Sequence, residues 1–251
     1  MSEDSARPAR DEDRVPLEPP SAADTLGAAL GGAARRAGLD PAAHATTGAA
    51  VWSAMGGWRG ILESVLPSLA FVVLFTVTID PETRQGNLWV SLGVSVGLAV
   101  VFTLARLIAK SPPSAAIGGL LATAGAAALA LLTGRGQDNF VLGFFTNGAY
   151  GTAFLVSAIV GWPLIGLAAG YLMGEGTRWR ADRRKKRAYT WLSVAWAALF
   201  AARLIVQLPL YFAGDVTALG TLKIVMGLPL FAPMLAVTWL VVRSLSPRRE
   251  S

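Results

Sequence analysis

The sequence RWRADRRKKR, from Arg178 to Arg187, is a basic block between two long apolar runs. In membrane proteins, the short cytoplasmic loops carry an excess of lysine and arginine. The block therefore predicts which side is cytoplasmic. Every other apolar run can then be placed by asking whether it begins or ends on the same side of the bilayer as this block.

The composition of the chain is that of a polytopic membrane protein. Of its 251 residues, 53% are hydrophobic and 15% are charged, whereas a soluble domain has roughly 25% charged residues. The mean hydropathy is +0.50. A net charge of +6 could indicate a nucleic-acid partner, but basic cytoplasmic loops explain it in a chain this apolar. We therefore predict that the chain associates with the lipid bilayer and binds no nucleic acid.

Two residue types that intramembrane enzymes use are scarce. The chain has no cysteine, and its one histidine, His44, precedes the first apolar run. Thiolate nucleophiles, cysteine-ligated zinc and iron–sulfur clusters are thereby excluded. Histidine-based triads and histidine-ligated zinc are excluded inside the membrane as well. We predict no metal, no cofactor and no enzymatic activity.

The fold class predicted here is all-α membrane, a six-transmembrane-helix bundle over residues 58–245. An apolar run needs about 20 residues to cross the bilayer as a helix. The six runs of suitable length lie at about residues 61–79, 88–109, 114–133, 139–160, 188–212 and 219–242. Residues 1–57 have no apolar period that could form a core, so they are predicted to be a disordered cytoplasmic tail. Residues 246–251 form a second cytoplasmic tail.

A further apolar piece, residues 164–174, is too short to cross the bilayer alone. About eleven residues make roughly 16 Å of helix, against a hydrocarbon core of about 30 Å. Pro163 separates it from the fourth run, and a basic cytoplasmic loop, residues 175–187, follows it. We predict one short interfacial or re-entrant half-helix, and the sequence leaves those two alternatives open.

The charges of the connecting segments agree with six crossings. The residues that fall on one side are Arg59, Lys110, the basic block, Arg243, Arg248 and Arg249, whereas the opposite loops carry mixed charge. We predict that the protein lies in the cytoplasmic (inner) membrane. The positive-inside rule then places both of its termini in the cytoplasm.

Two ionisable residues lie near the cytoplasmic ends of the first two spans. Glu63 is in the first span and Arg106 in the second. A charge near the centre of a bilayer costs at least about 2.5–3.5 kcal/mol, so each such residue is expected to have a pairing partner or a functional role. We predict an inner ion pair that orients the two helices. Alternatively, Arg106 extends from its helix end to the interface.

Four polar residues lie in the outer halves of the last three spans. They are Asn147, Arg203, Gln207 and Lys223, and Gln207 is one helical turn from Arg203 on the same face. If these faces converge, two cations and two amides line one pocket that suits a carboxylate or a lipid phosphate. The alternative is that Arg203 bonds helix carbonyls and Asn147, while Lys223 extends towards Asp215.

The basic block is also a candidate surface for lipid or a partner. Its basic residues are Arg178, Arg180, Arg183, Arg184, Lys185, Lys186 and Arg187. Each basic residue near an anionic leaflet contributes about 1 kcal/mol of attraction. We predict anionic lipid headgroups as partners, with a membrane-protein partner or a homo-oligomer as further alternatives.

Three segments resemble a known family: GGWRGILESVLPSLAFVVLFT, NGAYGTAFLVSAIVGWPLIGLAAGYLMGEGTRWR and ALFAARLIVQLPLY. They are similar to the actinobacterial membrane family called domain of unknown function 3159, over roughly residues 56–243. More distantly, the FLVS…WPLIG segment, the start of the fifth span and the Lys223 region resemble the intracellular septation protein A family. The first family has no assigned activity. The second resemblance implies a role in cell-envelope organisation at division.

The leading hypothesis is a non-enzymatic, multi-pass inner-membrane protein that acts in cell-envelope or septation-related organisation. The alternative is a secondary transporter or channel for a small solute, such as an anion. One geometric property separates them: whether the four outer polar residues line one solvent-reachable cavity or point to separate neighbours.

Overall fold

The fold is described from a computed structural model over residues 57–83, 85–109 and 114–245. All regular structure in these ranges is helical. The α-helices are α1 (Gly57–Val77), α2 (Leu88–Ile108), α3 (Ser114–Thr133), α4 (Val141–Ile159), α5 (Leu164–Leu172), α6 (Arg183–Phe212), α7 (Val216–Val225) and α8 (Leu228–Leu245). Two short 3₁₀ turns cover Gly136–Phe140 and Arg178–Ala181. The predicted tails, residues 1–57 and 246–251, lie outside the described residues apart from Gly57, which begins α1.

Several helices are long and apolar enough to cross a membrane. These stretches are Gly57–Val77, Leu88–Ile108, Gly136–Ile159, Arg183–Phe212 and Val216–Leu245. The predicted third span is helix α3, whose described side chains, Ile117–Thr133, form a shorter apolar helix. The all-helical class is therefore confirmed for the described residues, and its apolar helices are those of a membrane protein. A sixth complete crossing stays a prediction.

Helix α6 begins before residue 188, where the apolar pattern of the sequence predicts its start. The Asp182 carboxylate accepts the backbone N–H groups of Arg184 and Lys185 at 2.8 and 3.3 Å and so caps the helix at Arg183. Because arginine and lysine favour helices, the charge run continues the helix once it is capped. The predicted loop over residues 175–187 is therefore wrong in its second half, where the chain is already helical.

The sixth predicted span is one apolar stretch but two helices. Met226 and Gly227 lie outside helical geometry and separate α7 from α8. Pro229 has no N–H to donate to the carbonyl of Val225, so the backbone ladder is interrupted inside an apolar stretch. Membrane transporters build binding sites at interruptions of this kind. Lys223 lies in the last turn of α7, directly before the interruption.

Six of the described helices contact one another in a closed order: α1, α2, α3, α4, α6, α7 and again α1. The 3₁₀ turn Gly136–Phe140 packs between α3, α4 and α7. Buried apolar residues, among them Phe71, Leu92, Phe140 and Leu219, form the core between these helices. We call the end at which α1 and α6 begin the basic end, and the opposite end the far end.

The half-helix α5 folds back against α6 at the basic end. It ends before its predicted boundary at residue 174, because Gly174 adopts a φ of 70°. Trp179 is 1% exposed, and its ring atoms lie within 2.8 Å of where a Cβ on Gly166 or Gly170 would be. The Trp179 ring also packs edge-on against Tyr189 at 5.6 Å. The half-helix and the start of α6 therefore form one packed module.

Candidate functional site

The four polar residues predicted in the outer halves of three spans line a single cavity. Asn147 comes from α4, Arg203 and Gln207 from α6, and Lys223 from α7. The cavity has a volume of about 240 Å³, and we call it the polar chamber. Its other lining residues are Phe140, Gly143, Thr146, Tyr150 and Phe200. The structure thus brings the four residues together instead of pointing them to separate neighbours.

The chamber lies deep in the far half of the bundle. At 1.5 Å per residue, Arg203 is about 14 Å from the far end of α6 and Lys223 about 10 Å from the far end of α7. Asn147 donates its Nδ2 to the carbonyl of Gly143 at 2.6 Å, which leaves its amide oxygen for the chamber. Gln207, one turn beyond Arg203, is 4% exposed.

Two donors of the chamber residues are buried and unpaired. Neither Nε of Arg203 nor Nε2 of Gln207 has a hydrogen-bond partner among the described residues. An unsatisfied buried donor costs about 1–3 kcal/mol, and more when the group is charged. The predicted alternative, in which Arg203 bonds Asn147, does not occur through this nitrogen. These donors are free for a ligand or for water.

Lys223 is the second cation of the chamber. Its Nζ lies 5.3 Å from the centroid of the Phe140 ring. It does not pair with Asp215, whose carboxylate instead caps α7 by accepting the N–H of Ala218 at 2.9 Å. The described residues that line the chamber include no carboxylate. The chamber therefore offers two cations and two amides without an internal counter-ion, which is an arrangement that suits an anion.

A buried acid beside the chamber is not predicted from the sequence. Asp138 is 4% exposed and accepts a hydrogen bond from the Tyr211 hydroxyl at 2.7 Å. Nε of Arg135 lies 4.0 Å from the same carboxylate. Asp138 thus ties the turn that carries Phe140 to the far end of α6. In the sequence it is a carboxylate in a short polar turn, a pattern that predicts exposure.

A larger groove of about 850 Å³ opens on the opposite side of the α4–α6 pair. Its lining is almost entirely apolar, from Val141 to Val156 on α4 and from Leu204 to Tyr211 on α6. A ligand site usually adds a few convergent polar groups to an apolar surface. The polar side chains among its described lining residues are Thr152 and Tyr211, and the Tyr211 hydroxyl already donates to Asp138. The polar chamber is therefore the better candidate site.

Glu63 joins α1 to α2 at the basic end. Its two carboxylate oxygens accept hydrogen bonds from Nε of Arg106 at 2.5 Å and from Nε of Arg59 at 2.8 Å. The Glu63 side chain is 11% exposed and that of Arg106 is 22% exposed. The two residues proposed as an inner ion pair are thus in direct contact, and Arg59, one turn before Glu63, is a third member.

Glu63→Gln is expected to lower the stability of the protein, because the largely buried guanidinium of Arg106 then has no carboxylate to pair with. The free energy of unfolding should fall by an amount between those for surface and buried ion pairs, on the order of 1–3 kcal/mol. Thermal unfolding in detergent measures this loss. Adding Arg106→Gln should restore part of the loss, since the unpaired charge that remains, on Arg59, is exposed to solvent. Arg59→Gln is the matched control and should change the midpoint little. Additive losses in the double variant would contradict the pairing.

The residues of the basic block divide into two sets. The guanidinium carbon of Arg180 lies 3.5 Å from the centroid of the Trp162 ring, and Lys185 donates to both oxygens of Glu175 at 2.7 and 2.8 Å. The prediction of an outward-facing surface does not hold for these two, because their charges help to hold the packed module together.

The outward set is smaller than predicted. Arg178 is exposed but donates to the carbonyls of Gly174 and Glu175, and Lys186 is partly buried. The exposed residues of the first two turns of α6 are Arg183, Arg184 and Arg187. We call these three the arginine surface.

The fold and the chamber define a helical membrane protein with a cationic, ligand-sized cavity in one half of its bundle. Within the described ranges, no group of three or more His, Asp or Glu side chains is placed to hold a metal ion.

The chain belongs to the family described as "Protein of unknown function (DUF3159)", which it matches over residues 55–249. The predicted family is thereby confirmed, whereas its actinobacterial origin stays a prediction. No curated protein and no solved structure matches the chain, so the resemblance to the septation protein A family stays a prediction.

Proposed function

We propose that the protein binds a small anion in the polar chamber and acts as a secondary transporter or channel for an anionic solute. The observation that carries this proposal is that two cations and two amides line one cavity, and that no carboxylate is among its described lining residues. The four residues are Arg203, Lys223, Asn147 and Gln207. No step of this activity changes a covalent bond, so the protein is proposed not to be an enzyme.

Two further features support solute binding over a purely structural role. Buried polar groups in a structural core have hydrogen-bond partners, whereas Nε of Arg203 and Nε2 of Gln207 have none among the described residues. Lys223 also lies directly before the break between α7 and α8. Interrupted helices let a binding site change its access from one side of the membrane to the other.

Uptake into proteoliposomes tests this function. Labelled inorganic phosphate, sulfate and lactate are offered to vesicles that contain the purified full-length protein and to protein-free vesicles. The protein is expected to raise the initial rate of uptake for at least one of the three anions. Equal rates with and without folded protein, for all three, would contradict transport.

The arginine surface supports a second function at the basic end. Arg183, Arg184 and Arg187 are exposed at the start of α6, where a cytoplasmic basic end would meet anionic headgroups. Attachment to anionic lipid, to a membrane-protein partner or to a second copy would suit a role in envelope or septation-related organisation. We propose the inner membrane as the location, with both termini in the cytoplasm.

Replacing the three residues of the arginine surface by glutamine is expected to reduce the phosphatidylglycerol and cardiolipin that co-purify with the protein. At about 1 kcal/mol per basic residue, the triple variant should lose tenfold or more in lipid affinity. Native mass spectrometry in mild detergent measures the bound lipid. Arg135→Gln, a half-exposed arginine at the far end, is the control. Equal lipid retention in all three proteins would rule out this surface.

A further inference from the structure

A second cavity, of about 170 Å³, adjoins the polar chamber. The two cavities share Phe140, Gly143, Thr146 and Lys223 as lining residues. The second cavity extends towards α1, α2 and α3, and its polar lining comes from Ser68, Ser95, Thr123 and Asn139. We call it the hydroxyl chamber.

Three of its polar side chains have no hydrogen-bond partner among the residues that the structure describes. Ser68, Ser95 and Asn139 line the hydroxyl chamber, and none of them bonds another side chain or carbonyl within the described residues. Serine in an apolar helix normally bonds a carbonyl of the preceding turn. Ser91, one turn before Ser95 on α2, does this, since its Oγ donates to the carbonyl of Asn87 at 2.7 Å.

The two chambers differ in charge. Arg203 and Lys223 both line the polar chamber, whereas Lys223 is the sole charged side chain among the described residues that line the hydroxyl chamber. Hydroxyl and amide groups match neutral hydroxyl groups, because each can both donate and accept. The first chamber therefore suits an anionic group, and the second suits an uncharged polar one.

We propose that the solute is an organic anion with a hydroxylated, uncharged body, such as a polyol phosphate or a hydroxylated carboxylic acid. Its anionic group lies between Arg203 and Lys223, and its hydroxyl groups extend past Phe140 to Ser68, Ser95 and Asn139. This assignment rests on the proposed anion-binding function and adds the class of solute. A site built to hydrogen-bond hydroxyl groups rejects an analogue that lacks them, because its own polar groups are then left unpaired.

Binding to the purified full-length protein in detergent tests the assignment with two matched series. The phosphate series is inorganic phosphate, propyl phosphate and glycerol 3-phosphate, and the carboxylate series is acetate, butyrate and glycerate. In one of the series, the hydroxylated member is expected to bind at least about tenfold more tightly than the alkyl member, since each hydroxyl hydrogen bond contributes a factor of roughly two to ten.

The double variant Ser68→Ala/Ser95→Ala tests whether these two hydroxyls cause the tighter binding of the hydroxylated member. It should reduce the advantage of the hydroxylated member to within about twofold, while the affinity for inorganic phosphate or acetate stays unchanged. Ser91→Ala is the control, because its hydroxyl is already bonded within α2 and it does not line the chamber.

The outcomes separate the two proposals. If no member of either series binds the wild-type protein, the proposed anion-binding function fails, and this inference fails with it. If anions bind but the alkyl and hydroxylated members bind equally, the solute class alone is overturned. It is also overturned if the double serine variant weakens every anion to the same extent.

Discussion

Arg203→Met is expected to abolish anion uptake and, at the same time, to make the unliganded protein more stable. Arg203 is the deeper of the two cations in the polar chamber, and its Nε has no partner among the described residues. Replacing a poorly compensated buried charge by a hydrophobic residue of similar size often stabilises a protein by about 1–4 kcal/mol. Opposite effects on stability and on uptake are characteristic of a binding residue.

The loss of uptake should be large, because Arg203 offers charge-assisted hydrogen bonds to the anion. Each such bond contributes about 1.5–3 kcal/mol, a factor of roughly ten to one hundred and fifty in affinity. The measurements are initial uptake in proteoliposomes and thermal unfolding in detergent without anion. Ile205→Met, on the same helix but 71% exposed and not part of the chamber lining, should change neither. A variant that is less stable and still transports would show that Arg203 has a structural role.

Gly220→Val is expected to cause the largest loss of stability of any single change in α7. A Cβ at Gly220 would lie 2.0 Å from Cγ2 of Val72 on α1, and the neighbouring Leu219 is fully buried. Overpacking of this kind typically costs about 1–3 kcal/mol, and a branched side chain adds to it. Because Gly220 is one turn from Lys223, α7 would move away from α1 and displace the cation from the chamber. Uptake and unfolding temperature should therefore fall together.

A compensating change tests whether this contact is the cause. Gly220→Ala should destabilise the protein less than Gly220→Val. Adding Val72→Ala to Gly220→Ala should restore most of the lost stability, because it removes both Cγ atoms of Val72, the two atoms closest to the new Cβ. Gly97→Val on α2 is the matched control, since a Cβ there meets nothing within 4 Å. If Val72→Ala restores no stability, the close approach of α1 and α7 is not what limits the size of the side chain at residue 220.

The position of the candidate site could be predicted because polar groups are costly in hydrocarbon. Asn147, Arg203, Gln207 and Lys223 each interrupt an apolar run, and each must face the interior of the bundle. Their distances from the span ends place them at similar depths, so convergence follows if the helices are neighbours. The same reasoning brings Glu63 and Arg106 together across two antiparallel helices.

The features that the sequence did not reveal depend on hydrogen bonds and packing, which hydropathy does not measure. The break at Met226 and Gly227 lies within a continuous apolar run, and the early start of α6 depends on one capping contact from Asp182. Ser95 and Ser91 are indistinguishable in the sequence. Which of the two hydroxyls faces a cavity is decided by how α2 packs against α1 and α3.

Thermal unfolding of the purified wild-type protein, titrated with anions at constant ionic strength, tests the central claim that the polar chamber binds an anion. A ligand that binds the folded state stabilises it by about 2.7 kcal/mol at one hundred times its Kd. The unfolding midpoint of the wild-type protein should therefore rise with the concentration of at least one phosphate or carboxylate of the two series, and that of Arg203→Met should not. A midpoint that stays constant in the wild-type protein, or rises equally in both proteins, would contradict the account.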